Sequence, residues 1–251
     1  MKVIGIIPSR YASTRFPSKP LHMIKGKTMI QRVWEQACKS NLDAVVVATD
    51  DMHIADEVLK FGGQYVLTDP NHRSGTDRCR EALYMVEGQY DAVVNIQGDE
   101  PFIDPKQIDL LVDLIVRDDT PLASLAKRID DADELFSPNA VKVVVNQEGN
   151  AMYFSRNPIP FMRNVDRDEW LAKGRFYKHI GIYAYKADVL HQVAHMEPSA
   201  LEQAESLEQL RWLENGLAIR MALSDAENIS IDTPDDLHRA EQYAQTKPEI
   251  E

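Results

Sequence analysis

The sequence predicts an α/β protein with a mostly parallel, doubly wound sheet, and three observations predict it. Apolar runs rich in Val, Ile and Ala recur at Val3, Ala44, Gln64 and Asp91, with little of the polar alternation that a solvent-facing strand would show. Between them, apolar residues fall at i, i+3, i+4 and i+7, the spacing of amphipathic helices. From about Pro121 the rhythm changes and strands follow one another without long helices, so a β-rich excursion is expected in the second half.

Taken in order, Val3 to Ile7 form the first strand, and Pro8 is expected to end it because proline has no N–H for a ladder. The loop that follows carries Arg10, Arg15 and Lys19, with Pro17 and Pro20 fixing its backbone. Ile30, Val33, Trp34, Ala37 and Cys38 mark a helix with Thr28 as N-cap. Ala44 to Thr49 is the second strand, Asp50 and Asp51 follow it, and a helix from Met52 to Phe61 stops at Gly62-Gly63. Gln64 to Leu67 is the third strand. A polar loop through Ser74-Gly75-Thr76 then leads into a helix with Cys79, Leu83 and Val86 on one face. Asp91 to Gln97 is the fourth strand, and Ile108, Leu111, Val112 and Ile115 mark the helix after it.

Beyond this point Pro121 to Lys127, Val141 to Val145, Met152 to Ser155 and Phe176 to Tyr185 read as strands, with Arg163 to Arg175 as a polar loop. The apolar Ile159, Pro160 and Phe161 suit either a dimer contact or ordinary core packing. Leu207, Leu210, Leu213 and Leu217 stripe a helix that stops near Gly216. Ile219 to Leu223 and Ile229 to Ile231 follow as strands, and Thr233, Pro234 and Asp235-Asp236 read as the cap and first turn of a final helix. The expected organisation is one domain over residues 1–251, with the excursion at about 121–186 inside it.

Composition bounds the function. At 251 residues, with 44% apolar and 27% charged residues, the chain has the make-up of a water-soluble globular protein with a full core. A net charge of -12 makes nucleic acid and anionic membrane poor partners. No run reaches the roughly 18 apolar residues of a membrane span, and the N-terminus lacks the pattern of a secretory leader, so a cytoplasmic protein is expected. Cys38 and Cys79 both fall on helical apolar stripes and are expected as buried free thiols. The histidines show no zinc-ligand spacing.

Against this acidic background the first acidic residue is Glu35, and Lys2, Arg10, Arg15, Lys19, Lys25, Lys27 and Arg32 all precede it. Such a basic island suits a phosphate-bearing ligand, which the overall field would repel; it also suits a plain solvated loop. In parallel sheets, ligands bind beyond the carboxyl ends of the strands. That rule selects Pro8 to Pro20, Thr49 to Asp51, Ser74 to Arg78, and Gln97 to Pro101. Asp99 stands at the tip of the last loop, where it either shapes a turn or holds Mg²⁺, which takes one or two carboxylates and fills its octahedron with water and phosphate. Asp232 lies at a later strand end and is either a second metal carboxylate or part of a helix cap.

Eight segments in order carry a resemblance: Ile6 to Leu21, Val47 to Asp51, Ser74 to Arg78, Val94 to Pro101, Tyr153 to Arg156, His179 to Tyr183, Leu207 to Arg211 and Ile231 to Leu237. Together they resemble the 3-deoxy-manno-octulosonate (Kdo) cytidylyltransferase family, the CMP-Kdo synthetases, over nearly the whole chain. The resemblance implies a Rossmann-like nucleotidyltransferase sheet and transfer of CMP from CTP to the anomeric hydroxyl of Kdo, releasing pyrophosphate with Mg²⁺. It implies that Arg10, Arg15 and Lys19 hold phosphates, that Ser74 and Gly75 seat the nucleotide, and that Asp99 and Asp232 share the metal. On the sugar side it implies Arg78, Gln97, Arg156, His179, Tyr183, Glu208 and Gln209. A homodimer and a place in lipopolysaccharide biosynthesis are further implications. One departure is Ser18, where the family commonly has Gly. Two alternatives stay open: a cytidylyltransferase for a related acid sugar, such as 8-amino-Kdo or a sialic acid, and a non-catalytic nucleotide-binding protein on the same fold.

Overall fold

A computed structural model describes residues 1–12, 16–116 and 120–246. The fold is α/β with a mostly parallel central sheet. The chain forms two compact units, one running from Met1 to Val112 and resuming at Glu227, the other spanning Asp113–Ala226.

The first unit contains β1 (Val3–Ser9), a short hairpin of β2 (Met23–Ile24) and β3 (Lys27–Thr28), and α1 (Met29–Ala37). It continues with β4 (Ala44–Thr49), α2 (Met52–Lys60), β5 (Tyr65–Leu67), α3 (Gly75–Met85), β6 (Ala92–Asn95) and most of α4 (Pro105–Val116), whose last turn falls past the boundary at Val112. Its long strands lie in the order β6-β1-β4-β5, all parallel. The winding runs outward from β1 through β4 to β5 and then returns to the other side of β1 with β6. Strand order therefore reverses between β1 and β6, and a crevice opens beyond their carboxyl ends. Ile4, Ile6, Val47, Ala48, Val93 and Val94 form the buried centre.

Local chemistry sets the helix starts. Thr28, Asp51 and Ser74 accept hydrogen bonds from the backbone N–H groups of Gln31, His53 and Asp77, capping α1, α2 and α3. Ser74-Gly75-Thr76, expected as loop, is thus the cap and first turn of α3. Cys38, expected inside, is exposed, because α1 ends at Ala37 and leaves it as the cap residue; Cys79 is buried and both thiols are free.

Pro8 does not end its strand: β1 runs on to Ser9, paired with Thr49 of β4. Ile6 O accepts from Ile96 N, so the backbone polar groups of Ile6, and of Pro8 two residues on, face the β6 side. The β1–β6 ladder stops at Ile6 opposite Asn95, so the missing N–H of Pro8 falls where no partner is needed. Ile229–Ile231 is not a strand either; a single backbone bond, Ile231 N to Asp99 O at 3.0 Å, stitches it to the loop after β6. Ile231 instead joins Phe16, Ile24, Met29, Phe102, Ala240 and Ala244 in a core cluster under the last helix, Pro234–Thr246.

The second unit holds β7 (Leu122–Arg128), α5 (Ala132–Phe136), β8 (Lys142–Val145), β9 (Ala151–Ser155), α6 (Trp170–Lys173), β10 (Tyr177–Lys186), α7 (Ala187–Ala194), α8 (Ala200–Glu205), α9 (Gln209–Glu214) and β11 (Arg220–Leu223). Here β10 pairs antiparallel with β7 and β8, β8 antiparallel with β9, and β11 parallel with β7. The expected loop of Arg163–Arg175 contains α6. One helical turn is too short to leave a period in the sequence, yet Trp170 anchors it, stacked on Phe176 with ring centroids 5.8 Å apart and Nε1 donating to Val165 O. The leucine-striped helix spans only Gln209–Glu214, with Leu207 ahead of it and Leu217 beyond it, and Ser206, with φ 52°, separates it from α8.

Candidate active site

Beyond β1, β6 and the start of α3 lies a cavity of about 260 Å³ lined by Ser9, Arg10, Lys19, Arg73, Ser74, Gly75, Arg78, Gln97, Gly98, Asp99 and Asp232, among others. Residues from three of the four expected loops thus meet at the order reversal. Arg15 lies outside the described residues.

Lys19 is the hub. It opens a one-turn 3₁₀ helix, Lys19–Leu21, whose buried Pro20 anchors it. Its Nζ donates to Asp99 Oδ2 at 2.8 Å and Asp232 Oδ1 at 3.2 Å. Ser18, just before it, adopts φ 50°, ψ 26°, the left-handed region that Gly occupies without steric cost.

Asp99 is placed by a close backbone approach. A Cβ on Gly98 would stand 2.8 Å from Pro8 O, so only glycine lets the loop after β6 pass β1. Asp232 is placed by the cap that follows it. Thr233 Oγ1 accepts from Asp236 N, while the Asp236 carboxylate accepts from Asp232 N at 3.0 Å, Thr233 N at 2.9 Å and Thr233 Oγ1 at 2.8 Å. Burial works against ionisation of Asp236, yet these bonds and that from Arg239 outweigh it and hold its pKa below the usual carboxylate value. Capping is therefore Thr233's task, and the Asp232 carboxylate turns to Lys19. Asn228, bonded to both Glu100 and Gln107, ties the same segment down again.

Ser74 and Gly75 form the amino end of α3, where N–H groups and the helix dipole favour an anion. A Cβ on Gly75 would press on the Pro8 ring at 3.3 Å. Arg78 is buried and already engaged, with Nη1 on Thr68 Oγ1 at 2.5 Å and Nη2 on Asp50 Oδ2 at 3.2 Å. Asp50 also accepts from Tyr11 N at 3.3 Å, so one carboxylate joins the loops after β1 and β4. Asp50 was given no role by the sequence reading, although its loop was selected. Arg73, exposed on the cavity wall, was also missed; its position directly before Ser74 was the available clue.

The remaining expected residues belong to the second unit. His179 and Tyr183 on β10 have ring centroids 5.4 Å apart, and Tyr183 packs edge-on against Trp212 of α9 at 5.0 Å. Burial lowers the His179 pKa to about 3 and keeps the ring neutral. Burial, then the Glu208 charge, raises the Tyr183 pKa well above its ordinary value. Gln209 is buried at the start of α9, beside Glu208. Arg156 is spent on structure: its guanidinium donates to the carbonyls of Glu205, Pro138 and Ser206. Lys142, fully buried, adds bonds to the carbonyls of Ser137, Ala140 and Arg156. The two residues therefore knit the turn before β8 to the chain after β9 and the α8–α9 link.

Two convergent carboxylates facing a cation, with cationic side chains and a helix amino end around them, define a site for polyphosphate chemistry. A model of the cytidylyltransferase family matches residues 4–223. Proteins named 3-deoxy-manno-octulosonate cytidylyltransferase from Parabacteroides distasonis and Cytophaga hutchinsonii are 55% and 53% identical to this chain, covering 96% and 95% of it and 97% and 96% of their own lengths. A solved structure of CMP:2-keto-3-deoxy-manno-octonic acid synthetase complexed with CTP is 42% identical, with a TM-score of 0.91, covering 98% of this chain and 99% of that one. The chain belongs to the 3-deoxy-manno-octulosonate cytidylyltransferase family.

Proposed function

We propose that this chain transfers CMP from CTP to the anomeric hydroxyl of Kdo, releasing pyrophosphate, by direct displacement at the α-phosphorus. The observation that carries the reading is the convergence of Asp99 and Asp232 on Lys19 in the cavity at the strand-order reversal. The family relatives supply the nucleotide and the sugar.

The reaction needs an alcohol aligned with a triphosphate whose charge shifts toward the leaving pyrophosphate. Lys19, with Arg10 and Arg15, neutralises that charge, and the Ser74–Gly75 helix end receives a phosphate oxygen. Asp99 and Asp232 fit Mg²⁺: they are hard oxygen donors, two in number, already gathered about one cation. When bound, Mg²⁺ supplies Lewis-acid polarisation and orientation of the attacking oxygen. Gln97 and Arg78, with His179, Tyr183, Glu208 and Gln209, receive the sugar's hydroxyls and carboxylate; Arg156 serves by holding its surroundings in place. This reading includes a homodimer contact at Ile159–Phe161, supported by Phe161 being 73% exposed. It places the sugar subsite in the β-rich region of residues 121–186 and the segment after it, and it sets the reaction in the cytoplasm as part of lipopolysaccharide biosynthesis. Among the described residues no helix is long and apolar enough to cross a membrane.

Pyrophosphate release from CTP and Mg²⁺, with Kdo, 8-amino-Kdo or N-acetylneuraminic acid against a no-sugar control, tests the reading. Release with Kdo is expected. Release only with another sugar moves the specificity, and CTP binding without release from any sugar sinks the enzyme reading.

A further inference from the structure

The strand β10 shifts register against β7 between Ile180 and Tyr183, and this irregularity turns two carbonyls toward Ser124. Ser124 Oγ lies 2.9 Å from His179 Nε2, 2.8 Å from Ile182 O and 3.3 Å from Ile180 O. Its hydroxyl has one proton to give. Two oxygens 2.8 Å apart repel unless a proton lies between them, so that proton belongs on the line to Ile182 O. The face of Oγ toward His179 is then a lone pair, and Nε2 must donate to it. A neutral imidazole carries one N–H, which leaves Nδ1 bare.

We infer that Ser124 is a positioning residue that locks His179 as the Nε2–H tautomer and so presents Nδ1 as an acceptor for a hydroxyl or amine donor of the sugar. The inference rests on the acid-sugar reading above and adds to it a direction for the hydrogen bond. Ser124 is fully buried. The ring is braced by Phe154 edge-on at 4.9 Å and by Tyr183 at 5.4 Å, so it cannot turn freely to exchange its nitrogens. Burial disfavours the imidazolium, which would convert Nδ1 from acceptor to donor. Among the described residues Nδ1 accepts no hydrogen bond. An acceptor so fixed welcomes a donor and repels a carboxylate, so His179 reads a donor group and recognition of the sugar's carboxylate falls to other residues.

Nitrogen-15 NMR of the histidine-labelled protein reads the tautomer directly, with His179→Gln assigning the signals. The Nε2–H pattern is expected near neutral pH; an Nδ1–H pattern, or an imidazolium, overturns the lock. Ser124→Ala is expected to mix the tautomers and raise the KM for Kdo about tenfold, the scale of one lost hydrogen bond, with the KM for CTP within about twofold. Ser124→Thr, which restores the hydroxyl, is expected to restore both readouts. A Ser124→Ala protein with unchanged tautomer and KM contradicts the assignment. The wild-type measurement needs no variant to fold. An Nε2–H ring in a protein that turns over no sugar defeats the functional reading alone, whereas turnover of Kdo with an Nδ1–H ring defeats the lock alone.

Discussion

In the first unit the candidate site's side chains are charged and meet one another directly: Lys19 spans Asp99 and Asp232, with Arg10 and Arg73 on the same cavity wall. In the second unit, His179 and Tyr183 stand in an apolar setting that disfavours charge on either, flanked by Phe154 and Trp212. Under the proposed function the contrast follows what each half recognises. A triphosphate brings charge, and its displacement moves that charge, so fixed ions opposite it discriminate between ground and transition states. Sugar hydroxyls bring donors and acceptors without charge, and a neutral ring with a fixed tautomer reads them without competing for the phosphates.

The largest expected effect breaks the charged half. Asp99→Asn keeps the shape but removes a charge that faces Lys19, and turnover is expected to fall by roughly a thousandfold or more with the far-UV circular dichroism unchanged. Turnover near wild type would remove Asp99 from the chemistry. Next comes Gly98→Ala, which drives a methyl group against Pro8 O, 2.8 Å away. The backbone must shift, and urea unfolding is expected to register a loss of about 2 kcal/mol together with a drop in turnover.

The neutral half is probed by pH. The folded His179 has a pKa of about 3, below the roughly 6.5 of an unfolded histidine. As pH falls through about 6.5 the unfolded chain takes up a proton that the folded ring refuses until about pH 3, so stability declines across that window, by at most about 1.4 kcal/mol per pH unit from this group. Urea unfolding of wild type and His179→Gln at pH 7.5 and 5 should show the variant losing less. Equal losses would place the ring in solvent-like surroundings. The smallest effect is at Ser18. Its left-handed backbone costs roughly 1 kcal/mol in a non-glycine residue, and Ser18→Gly is expected to recover about half of that, since glycine also loses more chain entropy on folding. A lowered melting temperature would contradict it.

How much of this was legible in the sequence differs between the halves for a physical reason. In the first unit, β1, β4 and β6 are apolar, continuous and largely buried, and Thr28, Asp51 and Thr233 sit at helix starts as caps do. Periodicity, cap chemistry and the strand-end rule therefore brought out the fold and the loops carrying Lys19, Ser74 and Asp99. Three features were hidden because they depend on spatial neighbours: the backbone approach that demands Gly98, the Asp50–Arg78 ion pair, and the turn of Asp232 toward Lys19 once Thr233 and Asp236 had taken the capping. In the second unit the short helices α5 and α6 have too few turns for a period. Ser124 was invisible because its importance lies in a register shift on another strand. The resemblance pointed to His179 and Tyr183; their neutrality follows from packing alone.

The most direct test of the division between the units is the KM for CTP and for Kdo in Lys19→Met and His179→Gln, measured side by side by pyrophosphate release. Lys19→Met is expected to lose turnover and weaken CTP, whereas His179→Gln is expected to raise the KM for Kdo about tenfold or more and leave that for CTP within about twofold. A His179→Gln enzyme impaired mainly toward CTP, or a Lys19→Met enzyme impaired only toward Kdo, would contradict it.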